Sequence, residues 1–410
     1  NKMAVPKWLN RDFFETALRQ YEKDENLKVT DVEVKRILDT SEPTTSAIFS
    51  ASVSYSLFNS TNENSTKLIV KTPASILEDN SDAVPAEPSI DPLFETEIEM
   101  YTKTLPAIGK YLLCSLDERV FFPNLIYHSK SPNYVLVFDD ITDKGFAKVT
   151  NQLNFENSKL IFSKLAKLHA CSMFLEQKTN EVSDYKQGLF RVRPDGVEHM
   201  LNSISKLIDE IATWPNHENY VEKFKNIHEN FHRKIRRLYS VNTPTDGYNV
   251  LNHGDFHFRN MMFKTDKQGT AYDFMLVDYQ VCIWGSPALD VIYALYMVAS
   301  KDTLEKHRED LLTHYYDEFV AAHRTLGVKE KPPSRLDFNT ELIRHGILEM
   351  IIAVCFMPYV HVDFSKVSID DLMANGEASK DVRREIYGHP DYKKAIQELL
   401  PKYLEKGFLD

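Results

Sequence analysis

The stretch Asn252-His253-Gly254-Asp255-Phe256-His257-Phe258-Arg259-Asn260, followed closely by Leu276-Val277-Asp278-Tyr279-Gln280, decides the reading of this chain. The first segment places a carboxylate, Asp255, and a carboxamide, Asn260, five residues apart on one loop. The second puts another carboxylate at the end of an apolar strand. The intervening residues predict a β-hairpin, with strands at 261–264 and 274–277 around a turn at 265–269. Such a hairpin is expected to return Asp278 to the side of Asn260. Two hard oxygen ligands there suit Mg²⁺, which takes carboxylates and keeps phosphates and waters as its other ligands. Asp255 is then left to orient and deprotonate a hydroxyl. Together these are the parts of a phosphoryl-transfer loop.

Each fragment alone has a plainer meaning. His-Gly-Asp is usually a turn, because Gly and Asp both favour turns, and a strand-ending Asp is usually a cap. The order of the fragments and the hairpin between them make the combination specific. Asp255-Phe256-His257 also matches the Asp-x-His of dinuclear metal hydrolases, but those sites need further His and Asp ligands. His345, His361 and His389 stand alone in the sequence, with no second ligand nearby.

The chain has 410 residues, 43% hydrophobic and 27% charged, which is enough for two lobes. Its formal charge of −11 lacks the basic footprint of a nucleic-acid binder. The residues after Met3, read as the native initiator behind a two-residue remnant, lack the apolar core of a secretory signal. No segment has the length of a membrane span; the best, 347–360, contains Glu349 and Pro358. Cys114, Cys171, Cys282 and Cys355 form no Cys-x-x-Cys pair, which favours reduced thiols and a cytoplasmic location. The two Asn-x-Thr-type stretches at 59–61 and 64–66 read as a polar turn.

In chain order, Leu9, Phe13, Ala17, Leu18 and Tyr21 recur at helical spacing. Strands are predicted around 32–37, 48–58 and 67–71, forming an antiparallel meander of the sort that roofs a nucleotide. The loop between the first two, 40–46, has no Gly to let backbone N–H groups approach phosphates, so the hydroxyls of Thr44, Thr45 and Ser46 are the candidate donors. Lys71 ends the third strand. An acidic, Pro-containing insertion at 73–92 precedes a helix over 93–108, with Phe94, Ile98 and Tyr101 on its apolar side. Of its Glu95, Glu97 and Glu99, Glu97 is the expected partner of Lys71 and the other two face solvent. Strands at 125–127 and 134–138 complete the sheet. Backbone groups at Phe138, Asp139 and Asp140 are placed to meet an adenine edge at a boundary between lobes. Beyond 150 the pattern is helical, at 155–177, 197–214, 216–238, 290–300, 304–326, 337–355 and 379–404. His169, on a buried face, reads as a hydrogen-bonded core residue, and the run 350–359 as core or the lining of an apolar pocket.

Through these motifs the chain resembles the small-molecule branch of the protein-kinase fold. Choline kinases and aminoglycoside phosphotransferases carry the same His-x-Asp-x₄-Asn loop and following Asp. The similarity is closer to the insect ecdysteroid kinase-like family, through Leu68-Ile69-Val70-Lys71-Thr72, Phe94-Glu95-Thr96-Glu97-Ile98-Glu99-Met100-Tyr101, Leu136-Val137-Phe138-Asp139-Asp140-Ile141, Leu165-Ala166-Lys167-Leu168-His169-Ala170 and Gly285-Ser286-Pro287-Ala288-Leu289-Asp290. The resemblance implies an α+β, two-lobed protein-kinase-like fold: an ATP-binding, antiparallel-sheet N-lobe at 1–140 and a mainly helical C-lobe at 141–410, carrying the catalytic loop 252–260 and the metal-binding segment 276–280. It implies Asp255 as catalytic base, Asn260 and Asp278 as Mg²⁺ ligands, Lys71 with Glu97 as the ATP-orienting pair, and Asp290 as a brace for the loop. The nucleotide loop departs from the pattern in lacking Gly, and His257 and Arg259 occupy positions that vary among relatives.

Eleven residues separate Asp278 from Asp290, too few for the activation segment with which a protein kinase presents a peptide. The spacing therefore favours a small hydroxylated molecule over a protein as acceptor, and the resemblance implies a steroid alcohol such as an ecdysteroid first. Another hydroxylated metabolite, a xenobiotic, an amino alcohol, or a catalytically silent binding protein are the alternatives.

Overall fold

The computed structural model describes residues 5–37, 46–58, 62–77, 90–186, 188, 194–358 and 377–410. Its strands are β1 (Lys28–Ile37), β2 (Ser46–Ser56), β3 (Glu63–Pro73), β4 (Leu125–Ser129), β5 (Val135–Asp139), β6 (Ala147–Lys148), β7 (Val250–Asn252), β8 (Met261–Thr265), β9 (Ala271–Leu276) and β10 (Ile283–Gly285). The chain divides into two compact units, 1–107 with 120–148 and 261–280, and 108–119 with 149–260 and 281–410. The fold is α+β, with an antiparallel sheet toward the N-terminus and helices toward the C-terminus.

The first unit is built on a sheet of order β1-β2-β3-β5-β4, antiparallel throughout. Phe49, Ala51, Val53, Leu68, Val70, Val135 and Val137 bury one core, alternating along their strands as a half-covered sheet requires. The helix Arg11–Glu22 covers this sheet with Phe14, Ala17 and Leu18, its first turn capped by the Asn10 side chain. β3 begins at Glu63, earlier than hydrophobicity predicts, because pairing with β2 runs on from Lys67↔Ser52 to Glu63↔Ser56 through polar residues. Lys71 lies on an interior strand, paired to Ile48 on one side and Leu136 on the other. Thr44 and Thr45 of the candidate phosphate loop lie outside the described residues; Ser46 opens β2 and is buried.

The predicted hairpin is present as β8 and β9, closed by Met261↔Leu276 and carrying Phe263↔Phe274. The Asp266 carboxylate accepts the N–H groups of Gln268 and Thr270 at 2.9 Å, and Gly269 turns the chain at φ +82°. β6 pairs with β8, the Phe274 ring stacks on Phe121 at 5.5 Å, and the Leu276 N–H donates to the Phe121 carbonyl at 2.7 Å. These contacts make 261–280 part of the first unit, whereas division of the sequence at residue 140 assigns it to the second. Chain order alone does not reveal that pairing.

The second unit is helical, its two longest helices, Phe155–Thr179 and Lys301–Leu326, packed along each other. The helix expected over 337–355 is two, Arg335–Arg344 and Ile347–Cys355. At the break, a Cβ on Gly346 would lie 1.9 Å from the Phe408 ring, so the backbone approaches where no side chain fits. The helix expected over 379–404 is likewise two, Glu377–Tyr387 and Pro390–Glu405, because Pro390 has no N–H to continue the ladder and starts a new helix at its first turn. Met350 to Cys355 are all buried, so this part of the apolar run is core. Among the described residues no helix is long and apolar enough to cross a membrane.

Phe274 is fully buried and joins the hairpin to Phe121 and Phe263. Phe274→Ala is expected to lower stability by about 3–5 kcal/mol, as truncation of a buried Phe does. Urea unfolding checks it, and an unchanged midpoint contradicts the anchoring role.

Candidate active site

Within the first unit, three segments distant in sequence converge on one ammonium. Lys71 Nζ lies 2.5 Å from Glu97 Oε2 and also bonds Asp278 Oδ1. Glu97 reaches it from the helix Pro92–Glu99, which Asp91 caps through the N–H groups of Leu93 and Phe94 and which Pro92 starts. That helix buries Phe94, Glu97 and Ile98, leaving Glu95 half-buried and Glu99 exposed. Asp278 follows β9 in the left-handed region, φ +72°, a conformation that Asp tolerates better than most residues and that clusters at functional positions. Gln280 Nε2 donates to its second oxygen at 3.2 Å.

Burial alone would lower the pKa of Lys71, but the carboxylates of Asp278 and Glu97 outweigh it and raise it, so the ammonium is permanent. Burial raises the pKa of Glu97; Lys71 opposes this, while Asp278 adds to it. One positive charge thus serves two carboxylates, and the trio has a surplus of negative charge in which a cation is welcome.

Within the second unit, the catalytic-loop candidates form a separate, tightly bonded group. Asp255 is half-buried, and its Oδ2 and main-chain carbonyl accept the Asn260 amide at 3.2 and 3.0 Å. His257 Nε2 lies 3.3 Å from Asp255 Oδ1, and the Asp255 N–H donates to His253 Nδ1 at 3.3 Å. Burial pushes the Asp255 carboxyl up, but His257 first, then His253 and Asn260, overcome this and hold it at about 2. It is an ionised acceptor throughout the physiological range.

The loop itself is fixed from beneath. Asp290, at the start of the helix Ala288–Met297, accepts the N–H of His253 at 2.6 Å and of Gly254 at 3.0 Å through its two oxygens. Its own N–H donates to Asn252, whose amide also reaches the carbonyls of Ile283 and Gly285 across the β7–β10 pair. Gly254 has φ +84°, and a Cβ there would lie 2.3 Å from the Val281 carbonyl oxygen; glycine alone is accommodated. His169 is fully buried, with Nδ1 2.6 Å from the Tyr315 hydroxyl and Nε2 3.5 Å from Asp290. Burial lowers its pKa against the pull of Asp290, so it stays neutral, with Tyr315 donating to Nδ1 and Nε2–H facing the carboxylate.

Because the Asn260 nitrogen is committed to Asp255, its side-chain oxygen is left as an acceptor, and Asp278 offers carboxylate oxygens. Among the described residues no three His, Cys, Asp or Glu side chains cluster as a closed metal cage. Asn260 and Asp278, each taken by itself, offer a hard oxygen of the kind Mg²⁺ accepts, an ion that takes other ligands from phosphate and water. At the strand end, Phe138 is buried against Tyr101, rings 4.7 Å apart, and the N–H groups of Asp139 and Asp140 donate to the carbonyls of Asn124 and Lys67.

Sequence reasoning passed over His257 as the partner of Asp255, and Tyr315 and Asn252 as supports of the loop. His257 was legible as the third residue of Asp-x-His; Tyr315, sixty residues away, had no local signal.

The sequence model of the ecdysteroid kinase-like family matches residues 41–328, more than half of the chain. No curated protein sequence matches it. Among solved structures, the chain is similar to a Ralstonia eutropha JMP134 protein assigned as an aminoglycoside phosphotransferase (TM-score 0.45, 10% identity, covering 94% of this chain and 98% of that one). It is also similar to an aminoglycoside phosphotransferase from Alicyclobacillus acidocaldarius (0.38, 10%, covering 90% and 92%) and to an ethanolamine kinase from Plasmodium vivax (0.34, 10%, covering 88% and 84%).

Removing the shared cation by Lys71→Met leaves Glu97 and Asp278 facing each other without it, and is expected to cost about 3–5 kcal/mol in urea unfolding. An unaltered midpoint refutes the pairing. For Asp255, whose folded value lies below the ordinary 3.8, ionisation stabilises the fold above about pH 4, and that contribution is lost as the pH falls toward about 2. His257→Gln removes the foremost opposing charge, so the Asp255 carboxyl should titrate closer to pH 4. A ¹³C NMR titration reads the shift, and a midpoint still near 2 contradicts the assignment.

Proposed function

Taking as premise that the chain belongs to the ecdysteroid kinase-like family, we propose that it transfers the γ-phosphoryl group of ATP to a hydroxyl of a small molecule. A steroid alcohol of ecdysteroid type is the leading acceptor, by family. The observation that carries this reading is the single ammonium of Lys71 held by Glu97 and Asp278, a strand Lys, a helix Glu and a post-hairpin Asp, as phosphoryl-transfer sites require.

In this reading Lys71 binds the phosphates of ATP and Glu97 keeps it oriented. Backbone groups near Phe138 to Asp140 meet the base. Asn260 and Asp278 would hold Mg²⁺, which when bound neutralises phosphate charge and orients the leaving group. The acceptor oxygen attacks the γ-phosphorus, its proton passes to Asp255, the bond to the bridging oxygen breaks, and ADP leaves with the electron pair. Asp255 is suited to this because it is ionised, and because Asn260 and His257 fix its direction. A group with so low a proton affinity is a weak base, so its contribution is chiefly orientation of the hydroxyl, with proton uptake late in the transfer. A cytosolic enzyme fits four cysteines that form no disulfide.

The test is ADP formation by purified protein with Mg²⁺ over sterol, polyol, xenobiotic and amino-alcohol acceptors. Asp255→Asn is expected to lower the rate about 10²–10⁴-fold while nucleotide affinity changes little. No turnover with any acceptor favours a silent binding protein; a mutant of wild-type rate removes Asp255 from the reaction.

A further inference from the structure

Within the second unit, a cavity of about 580 Å³ opens where three helices end, Glu218–Leu238, Arg335–Arg344 and Pro390–Glu405. Small-molecule sites usually measure roughly 300–1,000 Å³. Lys234, Arg237, Arg344 and Lys406 line it, against the carboxylates of Asp246 and Asp410, so the recess is cationic in a chain of formal charge −11. Three of these cations are engaged by the protein. Lys234 Nζ donates to the Asp410 main-chain oxygen, and Lys406 Nζ lies 3.3 Å from Glu349 Oε2. Arg344 Nη1 donates to Glu341 Oε1 at 3.2 Å and to the Asp246 carbonyl. The Arg237 guanidinium and Arg344 Nη2 make no hydrogen bond among the described residues. Burial and then Arg233 lower the pKa of Lys234; Asp410 opposes this and Arg237 adds to it, as a positive local field requires.

Cations at helix C-termini complement the macrodipole, which accounts for their presence here. It does not account for Val241 and Ile343, 46% and 70% exposed, which line the same cavity. Exposed apolar side chains are ordinary when scattered singly. Two in one recess, beside a guanidinium that no carboxylate meets, supply the two halves of a site for an amphipathic anion. We propose that this cavity is a second ligand site, separate from the phosphoryl-transfer residues, for a small molecule with an anionic head and an apolar body. Arg237 and Arg344 Nη2 meet the head, a carboxylate or phosphate ester, whose geometry a guanidinium fork matches. Val241 and Ile343 cover the body. The site uses none of Lys71, Asp255, Asn260 and Asp278, and it stands whether or not the chain is a kinase.

The experiment is calorimetry on the full chain with three probes, decanoate, decylammonium and inorganic phosphate, the first two below their micelle concentrations. Wild type is compared with Arg237→Gln and Ile343→Ser, both at exposed positions where folding is expected to survive, with urea midpoints as the check. The expected result is decanoate binding about tenfold tighter than that of either other probe. Arg237→Gln should weaken it about tenfold, the size of a lost charge-assisted bond, with partial recovery in Arg237→Lys, and Ile343→Ser by a smaller factor. No decanoate binding by wild type, equal affinity for decylammonium or for phosphate, or affinity unchanged in either variant overturns the proposal. Uptake by phosphatidylserine vesicles without binding of monomeric decanoate overturns it too, in favour of a membrane surface.

Discussion

A single ammonium shared by two carboxylates organises the first unit. Lys71 is on an interior strand, Glu97 on a helix and Asp278 beyond a hairpin, and no pair of them is adjacent in sequence. Burying a lysine is costly unless it is paired, and burying a carboxylate is costly for the same reason. Each charge is thus tolerable only while the others stay in place, which ties the helix and the hairpin to the sheet. The surplus negative charge has a consequence for chemistry: phosphate alone would be repelled by the carboxylates, whereas phosphate accompanied by a divalent cation balances them.

The second unit solves a different problem, holding a short loop in one conformation without a regular element to support it. Asp290 does so by accepting two successive N–H groups, a geometry that a carboxylate at a helix start can meet and that a neutral side chain meets less strongly. His169 and Tyr315 stand behind it, fully buried and satisfied by each other, so the carboxylate is aimed from two sides. Gly254 completes the arrangement, since its turn passes too close to Val281 for any side chain. The result is that Asp255 projects from a loop whose backbone is fixed on one flank by Asp290 and on the other by the short helical turn Phe258–Asn260. Asp255 itself is surrounded by groups that favour its ionised form.

The motif residues were legible because their chemistry is local. His-Gly-Asp with Asn five residues after the Asp, a strand ending in Asp, and the apolar periods of the helices are all patterns a few residues long. The choice of Glu97 over Glu95 and Glu99 also follows from helical periodicity, since Glu97 falls between the apolar positions Phe94, Ile98 and Tyr101. Element ends were less legible. The break at His345–Gly346 depends on Phe408, which lies some sixty residues further along, and the start of β3 depends on β2 continuing to pair with it.

What the sequence determined by itself is therefore the inventory: an antiparallel sheet followed by helices, a loop with an acid and an amide, a hairpin, and a strand lysine in need of a partner. Only the tertiary structure decided which distant groups share a charge or a proton. Lys71 gained two carboxylates, Asp290 gained His169 with Tyr315 behind it, and the hairpin joined the first unit through Phe121. The reason is physical: backbone propensity and hydrophobic period act over a few residues, whereas the energy of a buried charge or hydroxyl depends on every group packed around it, whatever its place in the chain.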